Sequence, residues 1–159
     1  MSKKKQADVA KVPKNIENRK ARYDYELVEK FEAGIALSGS EVKSVFLGRV
    51  NLTDSYVRVL NGELWLVNLD IEHYEHSSHF KLERRRDRKL LMHRKEIDAI
   101  DRKSREKSFA IVPTRMYFKN GRVKVEIALG RGKKAYDKRE QLKQDETRRE
   151  VERLRGRRE

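Results

Sequence analysis

The chain is 159 residues long, carries a formal net charge of +14 and contains no cysteine. That length suits one domain with tails, and the missing thiols exclude disulfides, a cysteine nucleophile and zinc–thiolate sites. The opening MSKKKQADVAKVPKN has a basic run with no apolar stretch behind it, and no run approaches the ~18 apolar residues of a membrane span, which predicts a soluble cytoplasmic protein with no signal peptide and no membrane contact.

Residues 1–22 hold eight Lys or Arg against two Asp or Glu. Residues 1–18 show no periodicity and predict a disordered basic arm. From Tyr23 apolar residues alternate, through Tyr25 and Leu27 and then Phe31, Ala33, Ile35 and Leu37. Period two predicts a strand with one buried face, with Gly34 marking a bend or bulge. Ser38-Gly39-Ser40-Glu41 is a capping-box pattern. Val42, Val45 and Phe46 follow at helical spacing, and Gly48 ends that helix.

Val57 and Val59 lead into Asn61-Gly62, with Leu64 and Leu66 beyond. Asn-Gly between apolar runs predicts a hairpin, because both residues tolerate positive φ. The returning strand, Glu63 to Ile71, is apolar on both faces at its centre, so either both faces are covered or Trp65 sits at a barrel end. A polar loop follows. Residues 23–80 carry four basic and ten acidic side chains, and residues 81–107 reverse this with twelve and six. The densest run, Arg84-Arg85-Arg86-Asp87-Arg88-Lys89, leads into Leu90-Leu91-Met92, which should pin it to the fold; a fixed guanidinium fork grips phosphate bidentately. Ile97 and Ile100 predict a second helix from Lys95 to before Ser108. Phe109 to Phe118 predicts a strand with Pro113 at an edge or bulge. Asn120-Gly121 predicts a second hairpin, with Val123, Val125, Ile127 and Leu129 alternating on the return.

Five short strands are too few for a sandwich but suffice for a small closed barrel with helices plugging its ends. The expected fold class is mainly β, an OB-type barrel over residues 19–131 with the helix from residue 39 inserted between strands one and two. Residues 132–159 form a basic tail whose only apolar side chains are Ala135, Tyr136, Leu142, Val151 and Leu154. It buries too little to fold alone and is expected to be disordered when free. From Asp137 it has no Pro and only Gly156, so it has latent helicity that is marginal in isolation. Tyr136 lies between Lys133-Lys134 and Lys138-Arg139, placed to stack on an unpaired base while the cations hold phosphates.

Three basic segments in one small chain point to a nucleic-acid partner. His73, His76 and His79 offer three imidazoles for a metal, but no regular structure fixes their geometry, so no metal is predicted. His76 or His93 with Lys89 has the acid–base make-up of a ribonuclease. Any basic RNA-binding protein offers such pairs, and no enzyme activity or cofactor is predicted. Glu32 is acidic in a cationic protein. Near RNA it is useful only as an acceptor from a base amino group or a 2′-hydroxyl.

Seven stretches in order resemble one family: Asn18 to Tyr25 (NRKARYDY), Phe31-Glu-Ala-Gly34, Gly39-Ser-Glu-Val-Lys-Ser44, Asn51-Leu-Thr-Asp-Ser-Tyr56, Arg88-Lys-Leu-Leu91, Lys119-Asn-Gly-Arg-Val-Lys124 and Gly132-Lys-Lys-Ala-Tyr-Asp-Lys-Arg139. They resemble the small protein B family, the SsrA-binding proteins that partner transfer-messenger RNA in bacteria, from about Asn18 to Lys143. The resemblance implies an OB-type barrel that grips the tRNA-like domain of that RNA, with no catalysis. It implies a monomer working in trans-translation, whose tail enters the empty messenger channel of a stalled ribosome near the decoding centre and becomes helical there. The alanine-charged RNA then supplies a reading frame that tags the nascent chain for degradation. Elongation factor Tu and alanyl-tRNA synthetase act on the same RNA.

By position, Asn18, Arg22, Tyr25, Glu32, Leu91, His93 and Lys124 match the family's RNA-facing barrel surface. Arg19, Lys43, Arg88, Lys89 and Lys119 complete the candidate RNA contacts. Arg131, Lys133, Lys134, Tyr136, Asp137, Lys138 and Arg139 are the candidates for the ribosome's decoding centre. Without the resemblance, the same residues also suit a generic OB-fold RNA chaperone or ribosome-associated factor.

Overall fold

The computed structural model describes residues 12–77 and 82–156, apart from the side chains of Ala135 and Tyr136. The proposed N-terminal arm therefore lies outside the described residues up to residue 11. Its last residues belong to the fold: β1, Ile16–Glu17, pairs antiparallel with the chain at Met116 and Arg115. Tyr23 and Asp24, read above as the start of a strand, instead end a short helix, α1 (Arg19–Asp24), capped by the side chain of Asn18. Alternation of two aromatic residues cannot distinguish an extended chain from one and a half helical turns.

β2 runs over Tyr25–Ile35. Its irregularity lies between Leu27 and Glu29, while Gly34 stays in regular pairing. The capping box forms as expected: Ser38 accepts from the Glu41 N–H, Glu41 accepts from the Ser38 N–H, and α2 (Gly39–Phe46) follows. β3 (Val50–Asn51) and β6 (Asp70–Ile71) form a separate two-stranded ladder. β4 (Tyr56–Leu60) and β5 (Glu63–Val67) form the first hairpin. Asn61 and Gly62 both have positive φ, 52° and 74°, the geometry that made Asn-Gly informative. Leu64 and Leu66 are buried, and Trp65 stands half-buried on the opposite face, so β5 has one core face rather than two.

β7 (Arg88–Leu91) is a sixth ring strand beyond the five expected. Preceded by a charged run, its four residues carry no readable alternation. α3 (Arg94–Lys107) buries Ile97 and Ile100 and ends at Ser108 in the left-handed region. β8 (Ala110–Lys119) and β9 (Arg122–Gly132) form the second hairpin, and the register shifts between Pro113 and Arg115 where a bulge was expected. α4, Ala135–Gly156, is a 22-residue helix made from the tail.

The strands pair β8–β4–β5–β7–β2–β9, and β9 pairs back to β8, closing the sheet into a ring. Inward residues fill it: Leu64, Leu66, Leu90, Met116, Val125 and Ile127 are each at most 1 % exposed. The molecule is mainly β, with four helices among the described residues. Among the described residues no helix is long and apolar enough to cross a membrane.

Candidate nucleic-acid interface

The candidate residues fall at two ends of β2. Tyr25 pairs with Gly132 at one end, and Gly34 pairs with both Leu91 and Lys124 at the other. Nine residue steps of strand separate the two groups, about 30 Å at ~3.3 Å per step.

At the far end, Gly34 leaves bare backbone between its two neighbours; a Cβ there would stand 3.3 Å from the Leu91 Cβ. Leu91 is 52 % exposed while Leu90 beside it is buried, because successive strand residues face opposite ways. Exposed His93 caps α3 with its backbone, its carbonyl accepting from the Glu96 and Ile97 N–H groups. Glu32 lies across from Glu126 on the outer face. The Tyr117 hydroxyl donates to Glu32, and Lys119 Nζ lies 3.3 Å from it. The Tyr117 hydrogen bond chiefly holds the Glu32 carboxyl below its ordinary pKa, against the effect of desolvation, with Lys119 and Lys124 adding to the lowering. Burial and then the bond to Glu32 push the Tyr117 phenol up to about 12. Arg115 lies over the Tyr117 ring at 4.7 Å and binds Glu126 at 2.9 Å. The outer face of β2, β8 and β9 is thus a lattice of alternating charge with one aromatic ring in it. Lys119 and Lys124 supply cations, and Glu32 supplies an ionised acceptor.

Tyr117 and Arg115 were absent from the candidates. Period two on β8 places 115, 117 and 119 on one face, but nothing local says that this face meets Glu32, 85 residues away.

Two candidates are scaffold. Arg88 was expected to bind phosphate, yet its side chain is 1 % exposed. Its guanidinium donates to Glu41 at 2.6 Å, to the carbonyls of Leu69 and Arg84 at 2.7 and 2.9 Å, and to that of Arg86 at 3.2 Å. Those donors are already in use, so a phosphate would have to dismantle the loop to reach them. Burial lowers the Arg88 pKa while Glu41 opposes the effect. Burial pushes the Glu41 carboxyl up, but hydrogen bonds from Arg86, the Ser38 N–H and Arg88 outweigh it and hold the pKa below its usual value. Asn18 is buried as well. It caps α1 and donates to the carbonyls of Leu52 at 3.2 Å and Pro113 at 2.9 Å.

The remaining candidates are at the surface. Lys89 pairs with Glu63 at 3.0 Å, and Lys43 lies over the Tyr74 ring. Arg19 and Arg22 are exposed on α1, with Arg22 4.0 Å from Glu17. Arg131 pairs with Glu26 at 3.2 Å. Lys133 donates from Nζ to the Arg22 carbonyl at 2.9 Å and to Gln141, and Lys138 reaches Asp24 at 3.3 Å. Lys134, Asp137 and Arg139 are exposed, and the Tyr136 side chain lies outside the described residues. So does His79. His73 is bonded to the Leu82 carbonyl and His76 lies edge-on to Tyr74, and among the described residues no group of three or more His, Cys, Asp or Glu is placed to hold a metal.

Comparison with known proteins gives this arrangement a family. The chain matches the model of the SmpB protein family over residues 15–157. It is 54 % identical over 136 residues to the SsrA-binding protein of Carboxydothermus hydrogenoformans, covering 86 % of this chain and 91 % of that one. It is 49 % identical to the SsrA-binding protein of Syntrophobacter fumaroxidans, covering 99 % and 98 %. Among solved structures it resembles, with a TM-score of 0.65 and 48 % identity over 76 % of this chain and 85 % of the other, one described as "tmRNA-SmpB: a journey to the center of the bacterial ribosome". The chain belongs to the SmpB family.

Proposed function

We propose that this chain binds the tRNA-like domain of transfer-messenger RNA and delivers it to stalled ribosomes for trans-translation. The observation that carries this reading is the 48 % identical structure described as tmRNA–SmpB in the bacterial ribosome, and relatives named SsrA-binding protein support it. The family is one of RNA-binding proteins and not of enzymes.

In this reading the ring is an OB-type barrel and residues 19–131 are the body. Lys119 and Lys124 take phosphates, and Glu32 accepts from a base amino group or a ribose hydroxyl. Leu91 and His93 beside them give an apolar and a π surface. Phosphate contacts position the RNA and Glu32 discriminates among RNAs. The tail, residues 132–159, leaves from the opposite end, so the body holds the RNA while the tail reaches elsewhere. As a helix, Ala135–Gly156 is about 33 Å long at 1.5 Å per residue. It enters the empty messenger channel near the decoding centre. There Tyr136 stacks on a base, and Arg131, Lys133, Lys134, Lys138 and Arg139 meet phosphates with Asp137 among them. Off the ribosome this helix, held to the body near Lys133 and Lys138, frays into a disordered tail. Elongation factor Tu and alanyl-tRNA synthetase meet the protein through the RNA, and it works as a cytoplasmic monomer without a cofactor.

Capture of the full chain from a bacterial lysate, followed by sequencing of the bound RNA, tests this. Transfer-messenger RNA should dominate, and the isolated tRNA-like domain should outcompete bulk tRNA. Equal affinity for the two would favour a generic RNA chaperone.

A further inference from the structure

β4 and β8 form the weak seam of the ring. They share one register pair, Val57 with Ile111, whereas β8 and β9 pair from Ala110–Gly130 to Lys119–Arg122. Where the two strands diverge, α1 and the end of α3 flank the gap and leave a cavity of about 580 Å³. That size is within the range of small-ligand sites. Tyr25, Tyr56 and Phe109 line it, and Tyr56 is 47 % exposed.

The charges of this cavity narrow the choice of occupant. Lys20 pairs with Asp54 at 2.7 Å and Arg105 with Asp101 at 2.9 Å. Arg58 and Asp24 also line it, paired with Asp87 at 2.9 Å and Lys138 at 3.3 Å, so a bare phosphate would meet a carboxylate beside each cation, and a metal ion or amine would meet a cation beside each carboxylate. An uncharged flat ring that both donates and accepts hydrogen bonds faces neither penalty. It can stack on the tyrosine and give amino protons to carboxylate oxygens.

We propose that this cavity takes an unpaired nucleobase of a bound RNA, with Tyr56 as its stacking surface. The proposal rests on the reading above only in taking the ligand to be RNA. It defines a contact that shares no residue with the Glu32–Lys124 face.

The test uses the full chain and two probes of equal charge, a five-nucleotide oligoadenylate and its abasic counterpart. Wild-type protein should bind the base-bearing probe about fivefold or more tighter, the scale of one stacked base, and that probe alone should shift the amide signals of Tyr56, Val57 and Ile111. Tyr56→Ala should erase the preference and leave the salt dependence unchanged, and Tyr56→Phe should keep both. Equal binding of the two probes, a preference that survives Tyr56→Ala, or shifts confined to other residues would overturn the proposal. Should Tyr56→Ala fail to fold, the wild-type shifts decide. Affinity for the intact tRNA-like domain is measured alongside. If it is high while the probes bind equally, only the base pocket fails; if it is lost, the proposed function fails.

Discussion

Arg88 and Glu41 are joined inside the protein, nitrogen to oxygen at 2.6 Å, with 1 % and 6 % of their side chains exposed. The pair ties the first turn of α2 to the loop at Arg84–Arg86, whose backbone carbonyls the same guanidinium binds. Removing one partner of a buried pair costs about 3–5 kcal/mol when it strands the other charge. Arg86 still reaches Glu41, so loss of Arg88 should fall at or below the low end of that range, while leaving the carbonyls of Leu69, Arg84 and Arg86 without this donor. Arg88→Ala should lower the urea midpoint accordingly. Arg88→Met with Glu41→Leu should recover only part of the loss, since a packed apolar pair replaces the ions but Arg86 loses its Glu41 partner too. A midpoint unchanged by Arg88→Ala would refute the pair's role.

Glu41 also makes stability depend on pH. Its carboxyl is held below the ordinary value, so the native state gives up this proton more readily than the unfolded chain does. The resulting stabilisation is complete above the unfolded pKa of about 4.3 and is lost as pH falls through the lower native value. Thermal melts from pH 7 to pH 3 should show the gap between wild type and Glu41→Gln closing in acid. A gap that does not change over that span would contradict it.

Tyr117→Phe removes the hydroxyl that bonds Glu32. The Glu32 pKa should rise toward its ordinary value, as read by its carboxyl carbon shift in an NMR titration. Discrimination between the tRNA-like domain and tRNA should weaken with little change in salt slope, because the group affected is an acceptor and not a phosphate contact. Absorbance titration of the wild type should show one tyrosine ionising only near pH 12.

Lys119→Ala and Lys124→Ala should each flatten the dependence of log affinity on log salt by about one unit. Arg88→Ala should change stability and leave that slope alone, because its guanidinium is buried. Slopes unchanged in both lysine variants would remove the β2–β8–β9 face as a phosphate site.

The tail meets the body at α1 through Lys133, just before its helix, and Lys138, within it, and carries exposed Leu142, Val151 and Leu154. With so little buried, its amides beyond Lys138 should exchange within seconds in the free protein, and slow exchange through Gly156 would contradict this. Tyr136→Ala should leave the melting temperature and RNA affinity nearly intact and abolish most tagging on stalled ribosomes. Tyr136→Phe should keep much of it, because the flat ring remains. A stability loss of about 1 kcal/mol or more would place the ring on the body instead.

Local chemistry was enough for some of this protein. Both Asn-Gly hairpins, the Ser38–Glu41 capping box, the bulge near Pro113 and the second helix follow from conformational preferences acting over a few residues, so they could be read along the chain. So could the concentration of cations outside residues 23–80, since charge needs no fold to be counted. What depended on the closed ring could not be read. Arg88 looked like the rest of its cationic run until closure buried it against Glu41, 47 positions away. Asn18 looked like an RNA contact until its amide met the carbonyls of Leu52 and Pro113. Tyr117 drew no notice until β2 brought Glu32 to it. The seam between β4 and β8, with its cavity, exists only because six strands of unequal length must close on one another. In each case the deciding contact is between residues far apart in sequence, and periodicity, capping and turn preference carry no information about such pairs.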